Sequence, residues 1–220
     1  MKNKWIFLFI LLGLPALIFL FLNQFGESEF RLQNPAELQV YKMKSVNCEP
    51  NEIDGVPRIP NYKLINQEGD TVTQAITEGK IYVADFFFAN CPDICIAMSS
   101  EMLRIQDKFK NNPDVKIISH TVDPKRDTPE AMKAYAERIG ADTDMWTFLT
   151  GTKEDLYDLA SCGYFISAQN VKEDPNAFIH KDTFVLVDKE KRIRGIYSGT
   201  DREDVDRLIN EIQILMLEYK

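Results

Sequence analysis

The sequence predicts an α/β protein: a mixed sheet flanked by helices, entered through an N-terminal hairpin and preceded by an N-terminal transmembrane helix. Three observations predict it. An uncharged apolar run opens the chain, strand-like and helix-like patterns then alternate, and one strand pattern is apolar at nearly every position. With 220 residues the chain is long enough for one domain plus extra segments, and 45% apolar with 27% charged residues is a globular composition.

Trp5 to Leu22 reads WIFLFILLGLPALIFLFL, without a charge. Such a run just spans a bilayer core, which takes about 20 residues. Lys2 and Lys4 precede it and the next basic residue is Arg31, so the positive-inside rule keeps the N-terminus cytoplasmic and exports the rest. The competing reading is a cleaved signal peptide, whose apolar region runs about 7–15 residues to a small-residue cleavage site. This run is longer and exits into Asn23-Gln24-Phe25-Gly26 with no A-x-A pattern, which favours an uncleaved single-pass anchor. Pro15 is tolerated within a span. The expected organisation is an anchor over 1–23, a tether over 24–58 and a domain over 59–220. The tether is polar, carries Pro35, Pro50 and Pro57, and has no sustained period.

Within the domain, Tyr62–Asn66 and Thr71–Thr73 flank Gln67-Glu68-Gly69-Asp70 and predict a short hairpin. Ile81–Phe88 (IYVADFFF) suits a strand buried on both faces of a parallel sheet. Met98, Met102, Ile105 and Phe109 follow at helical spacing, most simply as core. Val115–Val122 is the next strand. Thr128 is a good N-cap with Pro129 at the first helical position, and Gly140 ends that helix. Trp146–Leu149 is a short strand. Thr152 and Asp155 have capping-box spacing and open a helix closed by Gly163. Thr183–Asp188 and Ile193–Ser198 are paired strands. The last helix lines up Val205, Leu208, Ile209, Ile212, Leu215 and Met216. That order is similar to the thioredoxin fold with an added N-terminal hairpin.

The net charge of −8 argues against a nucleic-acid partner, which needs a basic face. Chemistry concentrates in Cys91-Pro92-Asp93-Ile94-Cys95, where the buried strand gives way to a helix. Free N–H groups at a helix start favour an anion and stabilise the Cys91 thiolate. Cys91 and Cys95, four residues apart, share one helix face. Two thiolates form a disulfide or hold a soft metal; Cu(I) prefers thiolate, and Cu(II) also accepts imidazole. The chain has two histidines. His180 precedes the strand Thr183–Asp188, which in a thioredoxin-like sheet neighbours the strand leading to Cys91, so it is the candidate third ligand. His120 lies inside a strand, is harder to place near the thiols, and reads as a surface or satisfied core residue. Asp93 reads equally as a first-turn acid favoured by the helix dipole and as a modulator of the site or of docking. Asp123, before Pro124, reads as a structural turn residue. Cys48 and Cys162 are two unrelated thiols or, in an oxidising compartment, a disulfide clipping tether to domain.

The segments VADFFFANCPDICIAMSSEM, TVDPKRDTPEAMKAYA and FIHKDTFVLVDKEKRIRGIY, in this order and spacing, resemble the Sco/SenC family from about Ile59 to Tyr219. The resemblance implies a thioredoxin-like fold that binds one copper ion per chain through two Cys and one His. It also implies a role in assembling the binuclear copper centre of cytochrome c oxidase. Carried over by motif, the ligands are Cys91, Cys95 and His180, with Asp93 and Asp123 also matching. The partner is then the copper-bearing subunit of the oxidase or another copper acceptor.

The expected function is copper delivery rather than enzymatic turnover. The alternative is a thiol–disulfide oxidoreductase that keeps target cysteines reduced. Two features speak against it as the sole role. The thiols are one residue further apart than in CxxC, and the stretch Phe178–Phe184 lacks the proline found at the matching place in thioredoxin-type reductases. A peroxidase would need a cation beside Cys91; Arg126 is a candidate that nothing in the sequence fixes there.

Overall fold

The computed structural model describes residues 13–17, 52–53, 56–91, 94–166 and 182–219. The chain divides after Arg31 into two units. In the first, residues 14–17 are helical. The rest of the expected anchor lies outside the described residues, among which no helix is long and apolar enough to cross a membrane.

The second unit opens with two short strands, β1 (Glu52–Ile53) and β2 (Val56–Pro57), paired antiparallel inside the stretch expected to be a tether. Two residues per strand are too few to show a period. A seven-stranded sheet follows, built from β3 (Lys63–Asn66), β4 (Thr71–Thr73), β5 (Ile81–Phe87), β6 (Val115–Thr121), β7 (Trp146–Thr150), β8 (Thr183–Val187) and β9 (Ile193–Ser198). Its spatial order is β4-β3-β7-β6-β5-β8-β9. β5, β6 and β7 are parallel; β8 runs antiparallel to β5, and β3 antiparallel to β7. The helices are α1 (Ile94–Phe109), α2 (Pro129–Ile139), α3 (Lys153–Asp158) and α4 (Arg202–Glu218). This is the thioredoxin-like mixed sheet, with the hairpin β3–β4 added at one edge.

Local chemistry explains the boundaries. The β3–β4 turn is held by the Asn66 side chain, whose Oδ1 accepts from the N–H groups of Glu68 (3.0 Å) and Asp70 (2.8 Å). Thr128 caps α2 by accepting from Ala131 N, and Gly140 closes it at φ 80, a left-handed conformation that suits glycine. Thr152 caps α3 by accepting from Asp155 N at 3.1 Å. α3 does not simply run on to Gly163: it passes into a π-helical turn, Leu159–Gly163, and Tyr164 is the cap. A Cβ on Gly163 would lie 2.9 Å from Leu159 Cδ1 and 3.0 Å from Pro60 Cδ, so the glycine admits the segment that leads into β3.

All seven residues of β5 are buried. Alternation sends Ile81, Val83 and Phe87 to one face, where Met98, Met102, Ile105 and Phe109 of α1 and Val205, Leu208, Ile212 and Leu215 of α4 cover them. Tyr82, Ala84 and Phe86 point to the other face, covered by Leu156, Leu159, Ala160 and Tyr164. β5 is thus covered on both sides, and the chain leaves its C-terminal end directly into the segment that carries the thiols.

Candidate metal centre

Beyond Phe87 the chain turns. Cys91 N–H donates to Phe88 C=O at 3.2 Å, closing a turn with Ala89 and Asn90 at its corner. The Ala89 N–H donates to both carboxylate oxygens of Asp127 (3.3 and 3.2 Å), and the Ala89 C=O accepts from Arg138 Nη2 at 2.8 Å. α1 then begins at Ile94. The Cys95 N–H, an otherwise unpaired donor of the first turn, points at Cys91 Sγ at 3.3 Å. Both thiols are free; Cys91 is half-buried and Cys95 is 4% exposed. Burial, with smaller contributions from Cys91 and the Asp85 charge, pushes the Cys95 thiol far up.

A cavity of about 520 Å³ opens beside the pair, lined by Cys91, Cys95, Ser99, Leu103, Tyr135 and Arg138 among others. Its wall is organised by hydrogen bonds. Ser99 Oγ lies 2.6 Å from the Cys95 C=O and 2.6 Å from Tyr135 Oη. The serine has one hydroxyl proton; given to the carbonyl, it leaves Tyr135 as the donor in the second contact. Arg138 stacks over the Tyr135 ring at 5.1 Å on its way back to Ala89.

On the same face of the sheet, Asp85 is the lone acid of β5, 4% exposed. It accepts from Ser119 Oγ, which accepts from Trp146 Nε1 at 2.7 Å. Burial pushes its carboxyl up to about 7. His120 sits on the opposite face, stacked on Phe86 at 5.0 Å and tilted against Tyr164 at 5.2 Å. Burial lowers it to about 4, so it is a neutral core histidine.

Of the other residues singled out in the sequence, Asp123 is buried in a turn, its C=O accepting from Arg126 N (3.0 Å) and Asp127 N (2.9 Å). Arg126 lies 3.6 Å from Asp123 Oδ2 with 70% of its side chain exposed; the cation at the thiol cavity is Arg138. Cys162 is disulfide-bonded. Asp93, His180 and Cys48 lie outside the described residues. Among the described residues, no three His, Cys, Asp or Glu side chains gather closely enough to hold a metal. The two thiols present are a soft-metal donor pair.

Sequence reasoning missed Asp127, Arg138 and Asp85. Asp85 had a signal, an acid in an otherwise apolar strand. Asp127 was visible only as the residue before an N-cap, and Arg138 as one exposed helix residue.

The SCO1/SenC family model matches residues 52–217. The chain is 30% identical over 206 residues to the SCO1 protein homolog of Bacillus subtilis (strain 168), covering 93% of this chain and 96% of that one. Among solved structures, BsSco, a member of the Sco family of cytochrome c oxidase assembly proteins, is 29% identical with a TM-score of 0.64, covering 78% of this chain and 98% of that one. ScoI of Arabidopsis thaliana, solved with copper bound, is 26% identical with a TM-score of 0.58, covering 72% and 98%.

Proposed function

We propose that this chain, which belongs to the SCO1/SenC family, carries one copper ion on Cys91, Cys95 and His180 and delivers it during assembly of the binuclear copper centre of cytochrome c oxidase. The observation that carries the reading is the free thiol pair at the β5–α1 junction, with the Cys95 N–H on Cys91 Sγ. Solved relatives give it context, one holding copper and one a member of a family of oxidase assembly proteins. The support for His180 is sheet register. β8 pairs antiparallel with β5, with Ala84 opposite Val185, so the start of β8 lies at the end of the sheet where β5 leads to the thiols. His180 is three residues before Thr183 in sequence.

The chemistry suits cargo transfer. Two thiolates satisfy Cu(I), and an added imidazole accommodates Cu(II). A three-ligand site beside an open cavity leaves room for an incoming donor, whereas a closed four-ligand cage releases metal slowly. Reduction of target disulfides by the same pair is the second reading, favoured by the hydrogen bond that holds Cys91 Sγ ready as a nucleophile.

We further place the domain on the exported side of a membrane, anchored by Trp5–Leu22. The disulfide at Cys162 supports this, since such bonds persist in oxidising compartments. Cys48 is its proposed partner, a crosslink that the chain-entropy model values at about 4–5 kcal/mol.

The test is a titration of the full chain in detergent, thiols reduced, with Cu(I) under anaerobic conditions and separately with Cu(II). One copper per chain is expected, lost when both thiols are alkylated. No uptake, or uptake indifferent to alkylation, contradicts the reading. Peptide mapping of the same preparation before reduction checks the crosslink: a free thiol at Cys48 removes it.

A further inference from the structure

The turn that presents Cys91 is gripped from two sides by side chains with no other evident task at this end of the sheet. Asp127 is 1% exposed, and its carboxylate receives the Ala89 N–H on both oxygens as well as the Thr121 hydroxyl. Thr121 Oγ1 is itself fixed, accepting from Asp123 N at 2.9 Å. On the other side of Ala89, Arg138 donates to the carbonyl at 2.8 Å. Its stem runs back toward the start of α2 over the Tyr135 ring, the direction helical side chains favour. Both grips come from α2 or the residue just before its N-cap, so one rigid helix holds both polar groups of a single residue. Cys91 is two residues further on, its own N–H committed to the same turn.

We propose that Asp127 and Arg138 are positioning residues for Cys91. By clamping Ala89 they fix the turn, and the turn sets the Cys91 sulfur against the Cys95 sulfur. The proposal deepens the copper-carrier reading and rests on it for its metal arm alone; the redox arm concerns the two thiols whatever they bind. Two sulfurs held in place form either a disulfide or a two-thiolate chelate at a lower entropic cost than two loose ones. Loosening the clamp therefore weakens both products. The disulfide becomes easier to reduce, so the potential of the pair rises, and Cu(I) affinity falls.

Arg138 is exposed, so Arg138→Met is the variant least threatening to folding. Asp127→Asn is the second; it keeps an acceptor for Ala89 N–H but disturbs the contact with Thr121. The full chain is equilibrated, metal-free, with glutathione redox buffers, and Cu(I) affinity is measured by chelator competition. For Arg138→Met we expect at least a tenfold shift of the dithiol–disulfide equilibrium toward dithiol, a rise of about 30 mV for a two-electron couple. A similar loss of Cu(I) affinity should accompany it, with an unchanged thermal midpoint. Asp127→Asn should shift both in the same direction, and Arg138→Lys, which retains a donor, should recover part of the effect. If Arg138→Met and Asp127→Asn both leave the potential within twofold of wild type in equilibrium constant, the proposal is overturned. Failure of the copper reading looks different: wild type itself then takes up no copper, while the potentials still decide the clamp.

Discussion

Replacing Cys95 with serine is expected to weaken Cu(I) binding by about two to three orders of magnitude. Structural zinc sites of four protein ligands gather about 10–16 kcal/mol, and on that scale one lost ligand forfeits about 2.5–4 kcal/mol. A serine hydroxyl does not replace a thiolate: it is hard, weakly acidic and a poor partner for Cu(I). The fold should survive. Serine is close to cysteine in shape, and the backbone of Cys95 keeps its bond from Ser99. The cost is that of a hydroxyl at a site 4% exposed, on the order of 1–3 kcal/mol if it finds no partner. Competition with a Cu(I) chelator, paired with a thermal melt, separates the two effects. A Cu(I) affinity within tenfold of wild type in a folded variant would remove Cys95 from the ligand set.

The second large effect is on stability and depends on pH. The Asp85 carboxyl, about 4 when the chain is unfolded, is pushed up to about 7 in the fold by burial. The native state therefore holds this proton more tightly than the unfolded state. The resulting stability is fully present below about pH 4, is lost as pH rises toward 7, and is gone above it. Three pH units of difference correspond to about 4 kcal/mol. Asp85→Asn keeps an oxygen for the Ser119 hydroxyl but cannot ionise. Denaturant unfolding at pH 4.5 and pH 8 should show wild type losing stability between them by several kcal/mol more than the variant, which becomes the more stable protein at pH 8. Parallel pH profiles for the two would show that Asp85 ionises in the fold without penalty. Its charge also helps to push up Cys95 and Tyr135, so this acid tunes the cavity from below.

Much of the architecture is legible in the residue pattern because its signals are local. The N-cap at Thr128, the left-handed Gly140, the stripe Met98-Met102-Ile105-Phe109 and the doubly buried β5 each follow from a few neighbouring residues. Other features depend on contacts that no local window contains. The π turn ends at Gly163, where Pro60 from far up the chain packs close, and the hairpin at Glu52–Pro57 is too short to show a period. The thiol site divides along the same line. Its cysteines announce themselves by spacing at a strand-to-helix junction. The clamp on Ala89 does not, because its partners lie 38 and 49 residues away in the chain and meet only when α2 packs beside the turn. Arg126 is the cation a peroxidase reading would want beside Cys91, yet it lies against Asp123, and Arg138 is the cation at the cavity.

Copper K-edge X-ray absorption decides the proposed ligand set of Cys91, Cys95 and His180. Spectra are compared for the full chain and its His180→Ala variant, each loaded with one equivalent of copper in each oxidation state. Two sulfur scatterers are expected in both proteins, and in wild type an imidazole shell that disappears in His180→Ala. The variant should lose more affinity for Cu(II) than for Cu(I). Spectra unchanged by His180→Ala, or a copper shell without sulfur in wild type, would contradict that ligand set.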